Sequence, residues 1–420
     1  MDPTLINPLK TFAAVSGTTF PTKPKGPFAV TLDRTLRDSC AIVGVGHSRL
    51  GRVPNVSALD LLVEAINQAL DDSGLVASDI DGLLCRGPQD VYCFHQLVGA
   101  QLGINARFST SVDSGGASQT LSVALAALAI RAGMAKTIII GFGGDAWSRT
   151  HASEQARISN DTHGSARPKE FGLEYGFTGA VAAHALGAQR HMDLFGTTRD
   201  HFAEVALVCR ENAILNPSAQ MRKPLTREAY HAAHMVVEPF GLFDCSLRSD
   251  GAGAIIVTSA ERARDMRQPP VLIKGFGSHN NTRGWFIDDN MVHTAAGPSG
   301  AAAYEMAGLG PKDVDVAQIY DCFTYMVITE LEDYGFCKKG EGGDFVASGA
   351  LRRSGILPCN TAGGLLSEAH VDGMLHICEG ARQLRHTYPP ERQVKDAEIA
   401  LISGHGGNQV CHATLILGKG

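Results

Sequence analysis

Three pairs of similar segments occur in the same order in the two halves of the chain, and this repetition is the strongest constraint on its fold. The pairs are LVASDIDGLLC (75–85) and LGPKDVDVAQI (309–319), Gly115–Gly116 and Gly363–Gly364 before helix patterns, and IIIGFGG (138–144) and LISGHGG (401–407). Their offsets are 234, 248 and 263 residues and increase along the chain. Three matches in a consistent order predict an internal duplication with small insertions in the second copy.

Strand and helix patterns of the first copy predict the α/β class. CAIVGVG (40–46) and TIIIGFGG (137–144) are continuously apolar, as expected for strands of a sheet that is covered on both faces. A helix is predicted over 57–74, with Ser57 as its N-cap and Gly74 just past its end.

The chain divides into an extension and two halves. Residues 1–36 hold five prolines and little periodicity, so we expect them to form an N-terminal extension. The first half is predicted over 37–265 and the second over 266–420. A polar insertion at about 145–240 interrupts the first half, and such insertions typically form a lid, a substrate wall or a subunit contact.

Composition argues against several classes of protein. A net charge of −6 without a Lys/Arg cluster argues against a nucleic-acid binder. The longest apolar stretch (121–130) is Ala-rich and ends at Arg131, so no membrane span is predicted. The ten cysteines form no CxxC pair, which argues against a zinc site on this chain. Because the start lacks a basic and then apolar leader, we expect a cytoplasmic protein.

Four polar, glycine-rich loops are candidates for a common site, since equivalent loops of a duplicated fold converge on one pocket. They are VDSGGAS (112–118), IYDCFTYM (319–326), NTAGGLLSEAHVDGM (360–374) and SGHGGNQ (403–409). The side chains in them that suggest chemistry are Asp113, Ser114, Tyr320, Asp321, Cys322, His370 and His405. The first loop lies on a predicted strand-to-helix turn, where a helix N-terminus favours negative charge.

An ordered set of motifs resembles the thiolase superfamily, and within it the sterol-carrier-protein-type thiolases and lipid-transfer-protein relatives. The motifs are DCSLRSDGAGA (244–254), YDCF (320–323), KGEGGDF (339–345) and the NxxGGxxxxxH pattern at 360–370. The resemblance covers roughly residues 38–420. It implies a duplicated, five-layered αβαβα thiolase fold with mixed sheets, and a homodimer.

The chain departs from thiolases at their nucleophile. Asp113 stands where the resemblance places the catalytic cysteine, three residues before Gly116. The last glycine-rich loop, SGHGG, lacks the second cysteine, and Cys411 lies too far along, in the predicted final strand. Tyr320 replaces the histidine of the HDCF motif, whereas the histidine of the NxxGG…H loop is kept as His370. These departures predict a thiolase pocket without covalent acyl transfer.

The thiolase-like aldolases of steroid side-chain degradation are the subgroup that this chain resembles most, in YDCFT (320–324) and GGLLSEA (363–369). The resemblance implies retro-aldol cleavage of a β-hydroxyacyl-CoA by two tyrosines. One is kept as Tyr320, and His370 occupies the position of the other. It also implies a small partner with an OB-fold and a zinc ribbon, giving a heterotetramer. We expect no cofactor on this chain, a coenzyme A thioester as substrate, and zinc in the partner only.

Retro-aldol cleavage needs a base for the hydroxyl proton and stabilisation of an enolate, but no nucleophile. A histidine such as His370 titrates near neutrality, whereas Tyr320, with an ordinary pKa of about 10, suits a proton donor. We predict that these two residues share the proton transfers. The predicted oxyanion donors are backbone N–H groups of the glycine pairs of the loops, namely Gly115, Gly116, Gly363, Gly364, Gly406 and Gly407. Asp321 and Ser114 are predicted to line the pocket.

The sequence also suggests roles for two further side chains, Asp113 and His405. Asp113 is predicted to hold its turn through nearby N–H groups rather than to react. His405 is predicted to line the pocket or to take part in catalysis, and the sequence favours neither.

Two rival functions remain open at this stage. The chain could be an acyltransferase (a thiolase) that acts on β-ketoacyl-CoA with another nucleophile and consumes free coenzyme A. It could also be a non-catalytic lipid-binding or scaffold subunit. The acyl group is equally open, because a steroid side chain is implied by the subgroup alone, and an aromatic or branched acyl-CoA fits the residues as well.

Overall fold

The computed structural model describes residues 33–152, 179–281, 291–407 and 410–420. Residues 34–420 form one compact unit. The predicted N-terminal extension, up to residue 32, and the part of the predicted insertion over 153–178 lie outside the described residues.

Strands and helices of the described residues follow the predicted alternation. The strands are β1 Cys40–His47, β2 Gly82–Arg86, β3 Phe108–Thr110, β4 Thr137–Asp145, β5 Met235–Val237, β6 Phe240–Gly241, β7 Asp250–Ser259, β8 Val271–Asn280, β9 Val316–Gln318, β10 Ile399–Gly406 and β11 Cys411–Lys419. The helices are α1 Ala58–Ser73, α2 Phe94–Leu102, α3 Ser118–Arg131, α4 Ala146–Ala152, α5 Gly179–Phe195, α6 Arg199–Ile214, α7 Arg227–Ala232, α8 Ala260–Ala263, α9 Ala296–Ala307, α10 Thr324–Asp333, α11 Gly342–Ala347, α12 Gly364–Ser367 and α13 Met374–Leu384.

The predicted caps of the first long helix are confirmed. The Ser57 side chain accepts a hydrogen bond from the backbone N–H of Asp60, and Gly74 ends α1 in the left-handed conformation at φ 76°. Among the described residues, none of the helices combines the length and apolar character that crossing a bilayer requires.

The main sheet shows the duplication in its strand order, which is β3-β2-β4-β7-β1-β8-β11-β10-β9. In the first half, β1 pairs antiparallel with β7, β7 antiparallel with β4, and β4 parallel with β2. In the second half, β8, β11, β10 and β9 repeat the same sequence of pairings. Only two residue pairs join β1 to β8, so the sheet consists of two half-sheets that meet at one edge.

Close strand-to-helix packing occurs at equivalent glycines in both halves. A side chain at Gly46 of β1 would overlap the carbonyl of Ala65 in α1, and one at Gly277 of β8 would overlap the carbonyl of Ser299 in α9. Asp81 and Asp315, 234 residues apart, each accept two backbone N–H bonds at the start of β4 and β10. The first and third sequence pairs therefore match in structure.

The second predicted pair, Gly115–Gly116 with Gly363–Gly364, is wrong in structure. The turn that precedes α3 links Ser114 to Gly116 around Gly115 at φ 57°, and the equivalent turn before α13 lies around Asp372 at φ 49°. Gly363–Gly364 instead begins the short helix α12, and the chain from 368 to 373 is not helical. The two glycine pairs are not equivalent, because the residue that corresponds to Gly115 in the second half is Asp372. Asp372 adopts the left-handed conformation that usually favours glycine.

Three apolar clusters show the five layers. Helices α3 and α13 lie between the half-sheets, where Val123 and Ala127 share one core with Ile377 and strand residues of both halves. On the outer face of the first half-sheet, α1 packs through Leu61 and Ile66. The outer face of the second half-sheet is covered by α9 and α10, together with the insertion helices α5 and α6.

Candidate active site

The four predicted loops meet at one end of the central helices, as expected from the duplication. Gly116 lies against the ring of Tyr320, and a side chain at this position would overlap the Tyr320 hydroxyl and the carbonyl of His405. A side chain at Gly406 would overlap the carbonyl of Ser114. Glycine is therefore required where the loops of the two halves pass each other.

Tyr320 and His370 form the centre of the site. The Tyr320 hydroxyl lies 3.2 Å from His370 Nε2, and His370 Nδ1 lies 3.1 Å from Ser246 Oγ. The backbone N–H of His370 donates to Ser249 Oγ at 3.0 Å. Both ring nitrogens of His370 therefore have hydroxyl partners, so a proton can enter and leave the ring at Nε2 while Ser246 holds the other side.

Burial determines the charge state of Tyr320. Its side chain is almost fully buried, and desolvation, with smaller contributions from the charge of Asp372 and from Cys322, raises its pKa well above the ordinary value. The phenol is therefore protonated at neutral pH and can donate a proton.

An arginine of the first half connects the two equivalent turns. Arg86, at the end of β2, makes ion pairs with Asp372 at 2.6 Å and with Asp113 at 3.0 Å. The Arg86 and Asp372 side chains are 12% and 11% exposed, whereas that of Asp113 is 72% exposed. Asp372 Oδ1 also lies 3.4 Å from the Tyr320 hydroxyl, as a second acceptor for its proton. A chain of polar contacts thus runs from solvent at Asp113 to the buried phenol.

Asp113 itself has little contact with its own turn. The N–H of Gly115 approaches its carboxylate only to 3.5 Å, so the ion pair with Arg86 is its main interaction. The neighbouring Ser114 donates its backbone N–H to Ser118 Oγ at 2.8 Å, which closes the turn onto α3.

Asp321 is fully buried and serves the neighbouring loop. Its carboxylate accepts the backbone N–H groups of Leu365 and Leu366 at 2.8 and 3.2 Å and contacts His376 Nε2 at 3.1 Å. A side chain at Gly364 would overlap this carboxylate. The N–H of Gly363 donates to the Asn360 carbonyl at 2.8 Å. These contacts fix the loop that precedes His370. The Asp321 carboxylate and the Gly363 N–H are therefore used within the protein rather than directed toward a ligand.

His405 lies beneath Tyr320 in a buried cluster. Its Nε2 is 3.0 Å from Nε2 of His184, which the insertion helix α5 supplies, and the Tyr320 and His405 rings are 5.8 Å apart. Burial, together with His412 and His184, holds the pKa of His405 well below its ordinary value. The ring is therefore neutral at pH 7 and supports the floor of the site.

Two cysteines lie beside these loops. Cys322 is buried 4.0 Å from His184 Nε2, and desolvation, followed by the charges of Glu330 and Asp321, raises its pKa well above the ordinary thiol value. Cys411 is buried in β11, and burial raises its pKa as well. Neither environment favours the thiolate that nucleophilic attack requires.

Sequence reasoning missed Arg86, Ser246 and Asp372. Arg86 follows a predicted parallel strand, and the carboxyl ends of such strands are where α/β sites assemble, so its position was a usable signal. Ser246 lies in the DCSLRSDG motif and Asp372 only two residues after His370. Their roles depend on contacts with Tyr320 and His370 across 52 to 124 residues of chain, which no local pattern shows.

Family models match both halves of the chain. The model described as "Thiolase, N-terminal domain" matches residues 40–235, and the model described as "Thiolase C-terminal domain-like" matches residues 277–419.

Curated relatives include both lyases and acyltransferases. The chain is 34% identical to a steroid side-chain-cleaving aldolase of Thermomonospora curvata, over 91% of this chain and 98% of the relative. It is also 34% identical to the 17-hydroxy-3-oxo-4-pregnene-20-carboxyl-CoA lyase of Mycobacterium tuberculosis, over 91% and 100%. An acetyl-CoA acetyltransferase of Methanothermobacter thermautotrophicus is 32% identical over 89% and 98%.

Solved structures match over nearly the whole chain. The Ltp2-ChsH2(DUF35) aldolase superposes with a TM-score of 0.82 at 32% identity, covering 91% of this chain and 98% of that chain. Human mitochondrial 3-ketoacyl-CoA thiolase superposes with a TM-score of 0.68 at 15% identity, covering 91% and 99%, which is a likeness of fold.

Proposed function

This chain belongs to the thiolase superfamily, and we propose that it is an aldolase of that superfamily that cleaves a β-hydroxyacyl-CoA by a retro-aldol reaction. The observation that carries the proposal is the contact of 3.2 Å between the buried, protonated Tyr320 hydroxyl and His370 Nε2. This pair offers a proton donor and a proton acceptor side by side, whereas the position of a thiolase nucleophile holds the exposed Asp113.

The proposed reaction needs only proton transfers from this chain. His370 Nε2 takes the β-hydroxyl proton as the Cα–Cβ bond breaks, and a ketone or aldehyde forms. The electron pair of that bond moves to the acyl-CoA as an enolate, which takes the proton of the Tyr320 hydroxyl at Cα. The enolate is far more basic than a phenolate, so this transfer is favourable. The proton on His370 then returns to Tyr320 across their contact, which restores the starting state.

The enolate oxygen needs hydrogen-bond donors where its charge develops. We propose the backbone N–H groups at Gly115, Gly116, Gly406 and Gly407 for this role, because these loops lie against each other next to Tyr320. The glycine pair that begins α12 is left out of this set because its loop is held by Asn360 and Asp321.

For the substrate, we propose a steroid or another bulky side chain linked to coenzyme A. Support comes from the two lyase relatives at 34% identity, whose names state a steroid side chain and a pregnene carboxyl-CoA. We also propose a homodimer that works with a small DUF35 partner in a heterotetramer, supported by the likeness to the Ltp2-ChsH2(DUF35) aldolase.

A panel of β-hydroxyacyl-CoA compounds tests the proposal, with a DUF35 partner present and free coenzyme A either added or withheld. We expect a shortened acyl-CoA and a ketone or aldehyde without free coenzyme A. Binding without turnover on the whole panel would instead indicate a non-catalytic subunit.

Thiolysis is the second candidate, because an acetyl-CoA acetyltransferase is 32% identical to this chain. It predicts cleavage of β-ketoacyl-CoA compounds only when free coenzyme A is supplied. The same assay therefore separates the two functions by their requirement for coenzyme A.

A further inference from the structure

In the proposed reaction, the O–H group of Tyr320 loses its hydrogen-bond acceptor when His370 becomes protonated. A tyrosine hydroxyl donates one hydrogen bond at a time, and a doubly protonated imidazole has no lone pair to accept one. Once His370 has taken the substrate proton, it can no longer accept the O–H of Tyr320. Another acceptor is therefore needed until the enolate takes the phenol proton.

Asp372 is in the position to fill this role. Its Oδ1 lies 3.4 Å from the Tyr320 hydroxyl, on a side chain that is 11% exposed. The backbone holds it there, because Asp372 is the left-handed central residue of the turn between Val371 and Gly373. Its other oxygen, Oδ2, is bound by Arg86 at 2.6 Å.

Arg86 compensates the charge of this carboxylate. A carboxylate next to a buried phenol would be costly to bury alone, and a guanidinium pair offsets that cost. Arg86 packs over the Phe142 ring at 5.8 Å and reaches Asp113 with its other nitrogen. The first half thus supplies the cation that fixes the acidic group of the second half.

We propose that Asp372, held by Arg86, is a positioning residue that accepts the Tyr320 O–H while His370 is protonated, and so keeps the phenol ready to protonate the enolate. This inference rests on the proposed aldolase function. It assigns a role in the reaction to Asp372 and Arg86 that is exerted only through Tyr320.

Two variants of Asp372 suit its backbone. Asp372→Asn keeps the size of the side chain and tolerates the left-handed conformation, but it removes the charge. Asp372→Gly copies Gly115, the central residue of the equivalent turn in the first half, and removes the acceptor altogether. Asp90→Asn is the matched control, because Asp90 also pairs with an arginine, Arg149, and has no contact with Tyr320 among the interactions of the described residues.

In the aldolase assay, we expect kcat to fall about tenfold or more in Asp372→Gly and less in Asp372→Asn, with KM changed less than about threefold. Asp90→Asn should behave as the wild type. The alkaline limb of the kcat profile should move to lower pH in Asp372→Asn, because a negative charge that opposes phenolate formation is lost. Unchanged kcat and an unchanged alkaline limb in both Asp372 variants would overturn the inference.

A titration without substrate keeps this test independent of the proposed function. The absorbance of the Tyr320 phenolate is obtained as the difference between each protein and its Tyr320→Phe counterpart. We expect this phenolate to appear at lower pH in Asp372→Asn than in the wild type, and at higher pH in Arg86→Gln. Coincident titrations would overturn the inference even with an active wild type, whereas an inactive wild type with shifted titrations would overturn only the proposed function.

Discussion

The two turns that precede the central helices have the same backbone and different chemistry. Both link residues two apart around a left-handed central residue, Gly115 in the first half and Asp372 in the second. The residue immediately before the first turn is Asp113, which is 72% exposed and paired with Arg86. The residue immediately before the second turn is His370, which contacts Tyr320 and Ser246. Duplication has therefore kept the geometry of the site, while the reactive groups lie in the second half.

The first half contributes support rather than reactive groups. Its turn provides close backbone packing at Gly116, and its strand β2 provides the guanidinium of Arg86. A site of this kind should tolerate replacement of the exposed Asp113 side chain before the first turn and lose activity when His370, at the equivalent position before the second turn, is replaced. The predictions that follow test this difference, beginning with the largest expected effect.

Removing either partner of the central pair should cost the most activity. We expect Tyr320→Phe and His370→Ala each to lower kcat about 10²- to 10⁴-fold, the range for a lost general acid or base. The double variant should lose little more than the worse single variant, because the two residues act as one unit. Steady-state lyase kinetics with the proposed DUF35 partner measure this. Full activity in both single variants would show that the pair does not carry the reaction.

Equivalent glycines of the two turns should respond differently to alanine. Gly116→Ala would push a methyl group into the Tyr320 hydroxyl, whereas the nearest atom to a methyl at Gly373 is the Gly116 carbonyl at 3.0 Å. We expect Gly116→Ala to abolish most activity and to lower the free energy of unfolding by about 1–3 kcal/mol, as overpacking does. Gly373→Ala should cost less on both counts. Denaturant unfolding and kinetics compare them, and equal losses would contradict the account.

The loop before His370 should make stability depend on pH. Burial, and then the charge of Glu379, raises the pKa of Glu368 to about 8 in the folded protein, from an ordinary value of 4.5. The contribution of neutral Glu368 to the free energy of unfolding is therefore complete below about pH 4.5 and is lost as the pH rises through about 8. Glu368→Gln should flatten this dependence in thermal unfolding between pH 6 and 9. An identical pH dependence in the variant would show that Glu368 ionises normally.

The smallest effect is expected at Asp113. Exposed ion pairs contribute about 0.2–1 kcal/mol, so Asp113→Asn should change kcat/KM less than about fivefold. Asp113→Cys should not create coenzyme A-dependent thiolysis, because the SGHGG loop lacks the second thiolase cysteine and Tyr320 replaces the histidine of the HDCF motif. Assays with β-ketoacyl-CoA and free coenzyme A check this, and a gain of thiolysis would mean that only the nucleophile separates this chain from a thiolase.

The sequence predicted those features that local patterns encode. Continuous apolar strands, the caps at Ser57 and Gly74, and the meeting of the four loops are confirmed in the structure. The register of the second turn was missed, because Asp372 takes a conformation that its residue type rarely adopts. The contact between Arg86 and Asp372 spans 286 residues of chain, so it follows only from the packing of the two halves.

A single-turnover reaction followed by intact-protein mass measurement tests the central claim most directly. The protein and the proposed DUF35 partner are mixed with a β-hydroxyacyl-CoA in the absence of free coenzyme A and quenched at successive times. We predict a ketone or aldehyde and a shortened acyl-CoA in equal amounts, while the mass of the chain stays constant. An acylated chain that loses its acyl group only when coenzyme A is added would contradict the account. The chemistry would then depend on a nucleophile rather than on the Tyr320–His370 pair.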